Sequence, residues 1–247
     1  MTSLSIILLV VIFFVTSAIG VVTGSNSLIT VPAMFQLGID PKIAVATNMF
    51  GLVFMSVGSS IPFLRAGRID IRRTTPLIAI TVVASGIGAA LVGVIGGETL
   101  KMIVSVAMIV VALFMIIRSP KEPIKGHLAV PAVLLLTFVL GIYGGLFSGG
   151  YTTMLTAVLV GVGGMQYVEA VASTKLINLF SSLIATVIFM WQGLVDYKLG
   201  LILGITMFAG GYAGAYLSTR LNEEWLRRIF LTAVILLAIK TFYDLFS

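Results

Sequence analysis

The sequence has no cysteine, a single histidine and few charged residues. Only 10% of its 247 residues are Asp, Glu, Lys or Arg, whereas ordinary soluble domains contain roughly 25%. The lack of cysteine excludes disulfides, thiolate metal sites and cysteine nucleophiles. His127 lies at the edge of a polar loop, so it gives no support to a metal cluster or a Ser-His catalytic pair. We therefore expect no bound metal and no enzyme active site.

The sequence is rich in long apolar runs. Hydrophobic residues make up 59% of the chain, and the mean hydropathy is +1.17. About 20 consecutive apolar residues cross the hydrocarbon core of a bilayer as an α-helix, whereas barrel strands are shorter and alternate in polarity. Eight such runs occur, and the first and fifth are overlong: residues 4–37, 43–64, 75–95, 100–117, 128–162, 168–191, 199–217 and 225–246. The sequence predicts an all-α integral membrane protein.

The net charge of +6 comes from basic residues in short loops between the apolar runs. Basic loops of this kind orient a membrane protein in the lipid bilayer, and they do not indicate a nucleic-acid partner. The glycine-rich stretches lack the strand contexts of nucleotide-binding motifs, so we expect no cofactor. No basic residue precedes the first run, which we expect to be a structural helix and not a cleaved signal peptide.

The sequence resembles itself when it is shifted by about half its length. A shift of 126 places residues 44–47, Gly67 and Gly88 on residues 170–173, Gly193 and Gly214, and a shift of 125 places Gly20, Gly24 and Gly38 on Gly145, Gly149 and Gly163. We predict two homologous four-segment repeats, residues 1–122 and 123–247, within one membrane domain. Paired helical repeats are frequent in secondary transporters. A duplicated bundle without transport is the alternative.

The loop charges bear on how the two repeats are oriented. If each overlong run returns to its starting side, the basic loops at 65–73, 118–125 and 220–228 all lie on one face of the membrane. Eight simple crossings would divide the basic residues more evenly between the faces. The positive-inside rule therefore favours inverted repeats over parallel ones.

Each overlong run is interrupted by glycines together with hydroxyl or amide side chains, at residues 20–27 and 144–153. Within a bilayer, such a break is tolerated only where it is buried in protein or lines a water-filled cavity. A helix that restarts after the break directs free amides and its positive dipole end inward, which suits an anion. Close packing of helices on small residues is the alternative explanation.

Lys175 lies about two turns inside an apolar run, with Asn178 on the same helical face. A charge at such a position usually faces a partner or a pathway, although a long lysine side chain can also reach the membrane interface. Met49 occupies the equivalent position of the first repeat, so we expect an asymmetric site. The candidate substrate-binding residues are Thr23, Ser25, Asn26, Asn48, Ser148, Tyr151, Thr152, Lys175 and Asn178.

Several motifs together resemble the TauE/SafE sulfite exporter family of membrane transporters. They are Val31-Pro32 after the first break, Ala-Val-Ala-Thr-Asn at 44–48 and Arg-Ala-Gly-Arg-Ile-Asp at 65–70, with counterparts at 170–178 and 192–196. The first break carries hydroxyl and amide groups where the family is richer in glycine. The resemblance implies a multi-pass inner-membrane transporter of sulfite, a sulfur-containing organic anion or a related small acid.

The resemblance also implies that an ion gradient drives transport, with a proton or sodium ion as the coupling ion. A passive anion channel is the main alternative function, and an intramembrane enzyme is a second one that lacks a base for its serines and threonines. A homo-oligomer is compatible with the sequence.

Overall fold

The computed structural model describes residues 3–24, 26–117 and 130–217, together with positions 232 and 235. The described part is helical, with α1 Ser3–Thr23, α2 Ser27–Gln36, α3 Pro41–Arg65, α4 Ile71–Val94, α5 Gly97–Ile117, α6 Val130–Leu146, α7 Tyr151–Gly161, α8 Tyr167–Trp191 and α9 Tyr197–Leu217. The apolar runs form helices as predicted, and each overlong run is divided in two at its predicted break. The last predicted run, 225–246, lies outside the described residues except for two positions.

Six of the described helices are long and apolar enough to cross a membrane, namely α1, α3, α4, α5, α8 and α9. The helices α2 and α7 have only 10 and 11 residues. Since a helix rises 1.5 Å per residue, each covers about half of a hydrocarbon core of about 30 Å. The prediction of an all-α integral membrane protein is confirmed, with a half-length helix after each break.

The polar loops fix the helix ends. The Asp40 carboxylate accepts hydrogen bonds from the backbone amides of Lys42 and Ile43 at the start of α3, and Pro41 occupies the first turn, where its missing N–H removes no helical bond. Asp70 caps α4 in the same way through the amide of Arg73. These caps satisfy backbone amides that would otherwise lack partners at the helix starts.

Contacts at the helix ends establish the directions of α3, α4 and α8. Lys42 Nζ donates to the carbonyl of Gly93 at 3.0 Å, which places the start of α3 beside the end of α4. Arg73 forms an ion pair with Glu169 at 3.5 Å, which places the start of α4 beside the start of α8. The helix α3 therefore runs opposite to both α4 and α8.

The two predicted halves interlock. The helix α3 packs along α9, α4 packs along α6 and α8, and α1 packs along α9. Glycines allow the closest approaches, since a Cβ at Gly58 would meet the backbone of Phe208 and one at Gly88 would meet the backbone of Ile142. Most of the buried apolar side chains accordingly belong to one core that includes residues from both halves. The described parts of the two predicted halves therefore share one apolar core.

Backbone conformation repeats along the chain with a single spacing. The helices α3 and α8 have 25 residues each and start at 41 and 167. Glycines with positive φ occur at positions 24, 38 and 67 and again at 150, 164 and 193. One shift of 126 thus relates α3 to α8 and the glycine turns on either side of them, and each break also contains a glycine with positive φ, Gly24 and Gly150. The division into repeats stays a prediction, and the opposite directions of α3 and α8 support its inverted form.

Single cysteines introduced into this cysteine-free chain will report on helix direction without background. We expect Arg68→Cys and Gln166→Cys to be labelled from one face of the membrane, and Glu98→Cys and Lys198→Cys from the other, because all four side chains are exposed at helix ends. Labelling of intact cells with an impermeant maleimide, before and after permeabilisation, measures this. Equal accessibility of Arg68→Cys and Lys198→Cys from one face would contradict the helix directions.

Candidate functional site

The two helix breaks meet inside the bundle and bond to each other. Three hydrogen bonds connect them: Ser27 Oγ with Ser148 Oγ at 2.7 Å, Thr153 Oγ1 to the Thr23 carbonyl at 2.9 Å, and Thr152 Oγ1 to the Gly24 carbonyl. The carbonyls at the end of α1 would otherwise lack helical partners. The start of α7 thus satisfies the end of α1, and both short helices begin at the same point.

Glycine is required at the first break for two reasons. Gly24 has a φ of 88°, which L side chains rarely adopt. A Cβ at this position would also lie 2.5 Å from Thr153 Oγ1 and 3.0 Å from the Thr153 backbone. The crossing of the two breaks therefore depends on Gly24.

A small cavity of about 20 Å³ lies where the breaks meet. In this conformation it has room for about one water-sized group. Its walls come from α1, α2, α3, α7, α8 and the second break: Gly20, Gly24, Asn26, Ser27, Leu52, Met55, Ser56, Ser59, Ser148, Thr152, Lys175 and Asn178. Five of the predicted binding residues are among them. Serine, threonine and asparagine dominate the polar lining, so the cavity suits a small polar solute.

Lys175 supplies the charge of the cavity. Its side chain is only 4% exposed, and its Nζ donates to the carbonyl of Gly20 at 3.1 Å. The ammonium therefore stays inside the bundle instead of reaching the interface. Gly20 lies in the last turn of α1, where the negative end of the helix dipole favours a cation. An ammonium group has three N–H donors, so the bond to Gly20 leaves donors for a ligand.

Carboxylates are absent from the cavity wall within the described part of the chain. Those that are described, Asp40, Asp70, Glu98, Glu169 and Asp196, all lie at helix ends or in loops. Within the described segments, Arg73 forms an ion pair with Glu169, and neither residue belongs to a break or lines the cavity. The described residues that line the cavity therefore provide no negative charge to balance Lys175.

The other predicted residues occupy different places around the cavity. Asn178 lines it and donates from Nδ2 to Ser56 Oγ at 2.9 Å. Asn48 does not line it, but it donates to Ser27 Oγ at 2.9 Å and so holds a residue that does. The Thr23 carbonyl accepts a hydrogen bond from Thr153 where the breaks meet, and Thr23 does not line the cavity.

Tyr151 is fully buried away from the cavity lining. Its ring lies against Gly144, and its hydroxyl is 3.5 Å from Thr81 Oγ1. It packs in a separate apolar cluster with residues such as Leu155 and Leu159. Ser25 lies outside the described residues.

Sequence reasoning missed one wall of the cavity. Leu52, Met55, Ser56 and Ser59 lie along one face of α3 and line the site. Their spacing of three, four and seven residues is the pattern of a helix face, so the signal was present in the sequence. Ser56 and Ser59, three residues apart on one face of a largely apolar helix, could have identified it.

The chain matches known proteins over nearly its whole length. A family model described as Sulfite exporter TauE/SafE matches residues 8–241. A Sinorhizobium protein named probable membrane transporter protein ORF9 is 28% identical over 94% of this chain and 90% of its own length. The Escherichia coli K12 protein named probable membrane transporter protein YfcA is 25% identical over 96% and 91%. A Bacillus subtilis protein named probable membrane transporter protein YunE is 20% identical over 98% of both chains.

These observations define the class first. The apolar helices enclose a buried polar cavity between two breaks, and the chain is related over nearly its full length to proteins named transporters. The protein is therefore a multi-pass membrane transporter. It belongs to the cell membrane, and to the inner membrane of a cell that has two. The chain belongs to the TauE/SafE sulfite exporter family. No solved structure matches it significantly.

Replacing Gly24 with alanine tests the crossing of the breaks. We expect Gly24→Ala to lower the melting temperature strongly, because a left-handed alanine costs about 1–2 kcal/mol and the clash with Thr153 adds about 1–3 kcal/mol. Gly38→Ala is the matched control, since Gly38 has a similar φ of 77° and no atom within 4 Å of the added Cβ. Thermal unfolding in detergent measures both variants. A smaller effect at Gly24 than at Gly38 would contradict the close approach.

Proposed function

We propose that the protein is a secondary transporter of a small anion, sulfite or a sulfur-containing organic anion, driven by an ion gradient. The substrate binds in the cavity between the two helix breaks. The interlocked halves then move relative to each other and expose this cavity to one side of the membrane at a time, as inverted-repeat transporters do. A proton or a sodium ion supplies the coupling.

The environment of Lys175 is the observation that carries this proposal. A buried ammonium without a carboxylate is costly in a low-dielectric interior, and a bound anion offsets that cost. Its bond to the Gly20 carbonyl and the dipole of α1 compensate only part of the charge. The cavity is therefore prepared for a ligand of negative charge.

The geometry of the surrounding donors favours an oxyanion. Ser148 and Thr152 stand at the start of α7, and Asn26 and Ser27 stand at the start of α2. Both helix starts direct their positive dipole ends to the same cavity. An anion with several acceptor oxygens can bond to both helix starts and to Lys175 together.

The size and the family support a small sulfur-containing substrate. The cavity is small, about 20 Å³ in this conformation, which favours a small substrate over a large organic ligand. The description of the matching family names sulfite export. The relatives are named only as probable transporters, so the choice among sulfur anions rests on the tests below.

Removal of the Lys175 ammonium is the direct test. We expect Lys175→Ala to raise the dissociation constant for the transported anion about tenfold or more, because a hydrogen bond to a charged group contributes about 1.5–3 kcal/mol. The anion is selected beforehand by thermal-shift measurements of the wild type with sulfite, thiosulfate, sulfoacetate and acetate, since a ligand that binds the folded state raises the melting temperature. Lys198→Ala, at an exposed helix end, is the control and should bind as the wild type does.

Flux measurements in proteoliposomes separate a carrier from a channel. A carrier shows saturable uptake that an imposed proton or sodium gradient drives above equilibrium, and Lys175→Ala abolishes this accumulation. Flux that neither saturates nor concentrates the anion would assign the protein to the passive channels. Folded Lys175→Ala protein with undiminished anion uptake would refute the role of the lysine.

A further inference from the structure

A chain of four buried polar side chains leads from the contact between α2 and α3 to the cavity. Thr30 Oγ1 lies 2.7 Å from Asn48 Oδ1, Asn48 Nδ2 lies 2.9 Å from Ser27 Oγ, and Ser27 Oγ lies 2.7 Å from Ser148 Oγ. Thr30 and Asn48 are 0% and 1% exposed and do not line the cavity, whereas Ser27 and Ser148 do. A chain of this kind orients each hydroxyl through its neighbour.

The bond lengths decide in which direction the hydrogens point. O–H···O bonds are commonly about 2.7–2.8 Å long and N–H···O bonds about 2.9–3.0 Å. The contact between Thr30 and Asn48 has the first length, and the contact between Asn48 and Ser27 has the second. The opposite amide orientation would make Thr30 donate to the Asn26 carbonyl at 3.4 Å, a much weaker bond. The threonine therefore donates to Asn48, and Asn48 donates to Ser27.

The direction in which hydrogens are donated continues from Ser27 to the cavity wall. Ser27 Oγ accepts from Asn48 and has one hydrogen of its own to donate, for which two acceptors are in reach. Ser148 Oγ is 2.7 Å away, whereas the other available acceptor, Asn26 Oδ1, is 3.3 Å away. When Ser27 donates to Ser148, the Ser148 hydrogen is left for the cavity.

We propose that this chain makes Ser148 a hydrogen-bond donor to the substrate, and that the site therefore selects a fully deprotonated oxyanion over a ligand that carries an N–H or O–H. The proposal rests on the anion-transport function and specifies its substrate class. Lys175, which has donors only, lines the same cavity. A ligand that presents its own hydrogen to Ser148 and Lys175 leaves buried donors unpaired, which sites of this kind reject strongly. Thr30 is a positioning residue, since it acts through Asn48 and Ser27.

Thr30→Val is the cleanest test, because it removes the orienting hydroxyl and keeps the shape of the side chain. The probes are methanesulfonate and the neutral methanesulfonamide, which places an NH₂ where the sulfonate has an oxygen, and the dissociation constants are measured by calorimetry on the full-length protein in detergent. We expect methanesulfonate to bind about fivefold more weakly to Thr30→Val, as for one lost hydrogen bond. The binding of methanesulfonamide should change less, so that the preference for the sulfonate falls.

Two matched variants separate orientation from general damage. Thr30→Ser keeps the hydroxyl and should retain the sulfonate preference of the wild type. Thr206→Val removes a threonine hydroxyl that bonds only to the carbonyl of Ile202 in its own helix, so it should leave both probes unaffected. If Thr30→Val does not fold, Ser148→Ala removes the donor itself and must reduce the same preference.

The outcomes distinguish this inference from the proposed function. A Thr30→Val or Ser148→Ala protein that keeps the full sulfonate preference, while Lys175→Ala loses anion binding, overturns the inference alone. If Thr30→Val binds both probes more weakly by the same factor, the inference is also overturned, because a merely structural defect weakens the binding of both. If wild-type protein binds neither methanesulfonate nor sulfite, the anion site fails and the inference fails with it.

Discussion

A helix that is interrupted inside a bilayer must have its free backbone groups satisfied by other parts of the protein, and this constraint organises the structure. The chain interrupts two helices and lets each break satisfy the other. Hydroxyls at the start of α7 bond to the Thr23 and Gly24 carbonyls at the end of α1, and Ser27 bonds to Ser148. The polar cavity lies where the breaks meet and where polar side chains and helix ends are buried together.

The two predicted repeats carry different side chains at positions 126 residues apart. A shift of 126 relates Asn48 to Thr174 and Met49 to Lys175. Asn48 holds Ser27 at the start of α2, and Lys175 holds the Gly20 carbonyl near the end of α1, so both act on the first break. Thr174 instead lies 3.2 Å from Thr156 in α7. Lys175 thus provides a charge on the cavity wall, whereas Asn48 acts behind the wall by holding Ser27.

The helices, the breaks and the burial of Lys175 could be predicted from the sequence, because apolar run length and a charge within an apolar run are local signals. The side of α3 that faces the cavity was overlooked, although Ser56 and Ser59 mark it. The position of Tyr151 could not be predicted, because its direction depends on the fit of its ring against Gly144 on the preceding helix. The interlocking of α3 with α9 likewise depends on packing between distant segments. The predicted repeats and binding roles stay predictions.

The central claim is that the cavity between the breaks is an anion site. Anomalous diffraction from crystals soaked in selenite, a heavier analogue of sulfite, tests it most directly because selenium marks the position of the anion. The account predicts a selenium peak in the cavity, at a position from which the selenite oxygens accept hydrogen bonds from Lys175 Nζ and Ser148 Oγ. A cavity without a peak, with selenium bound only at the exposed arginines of residues 65–73, would contradict it.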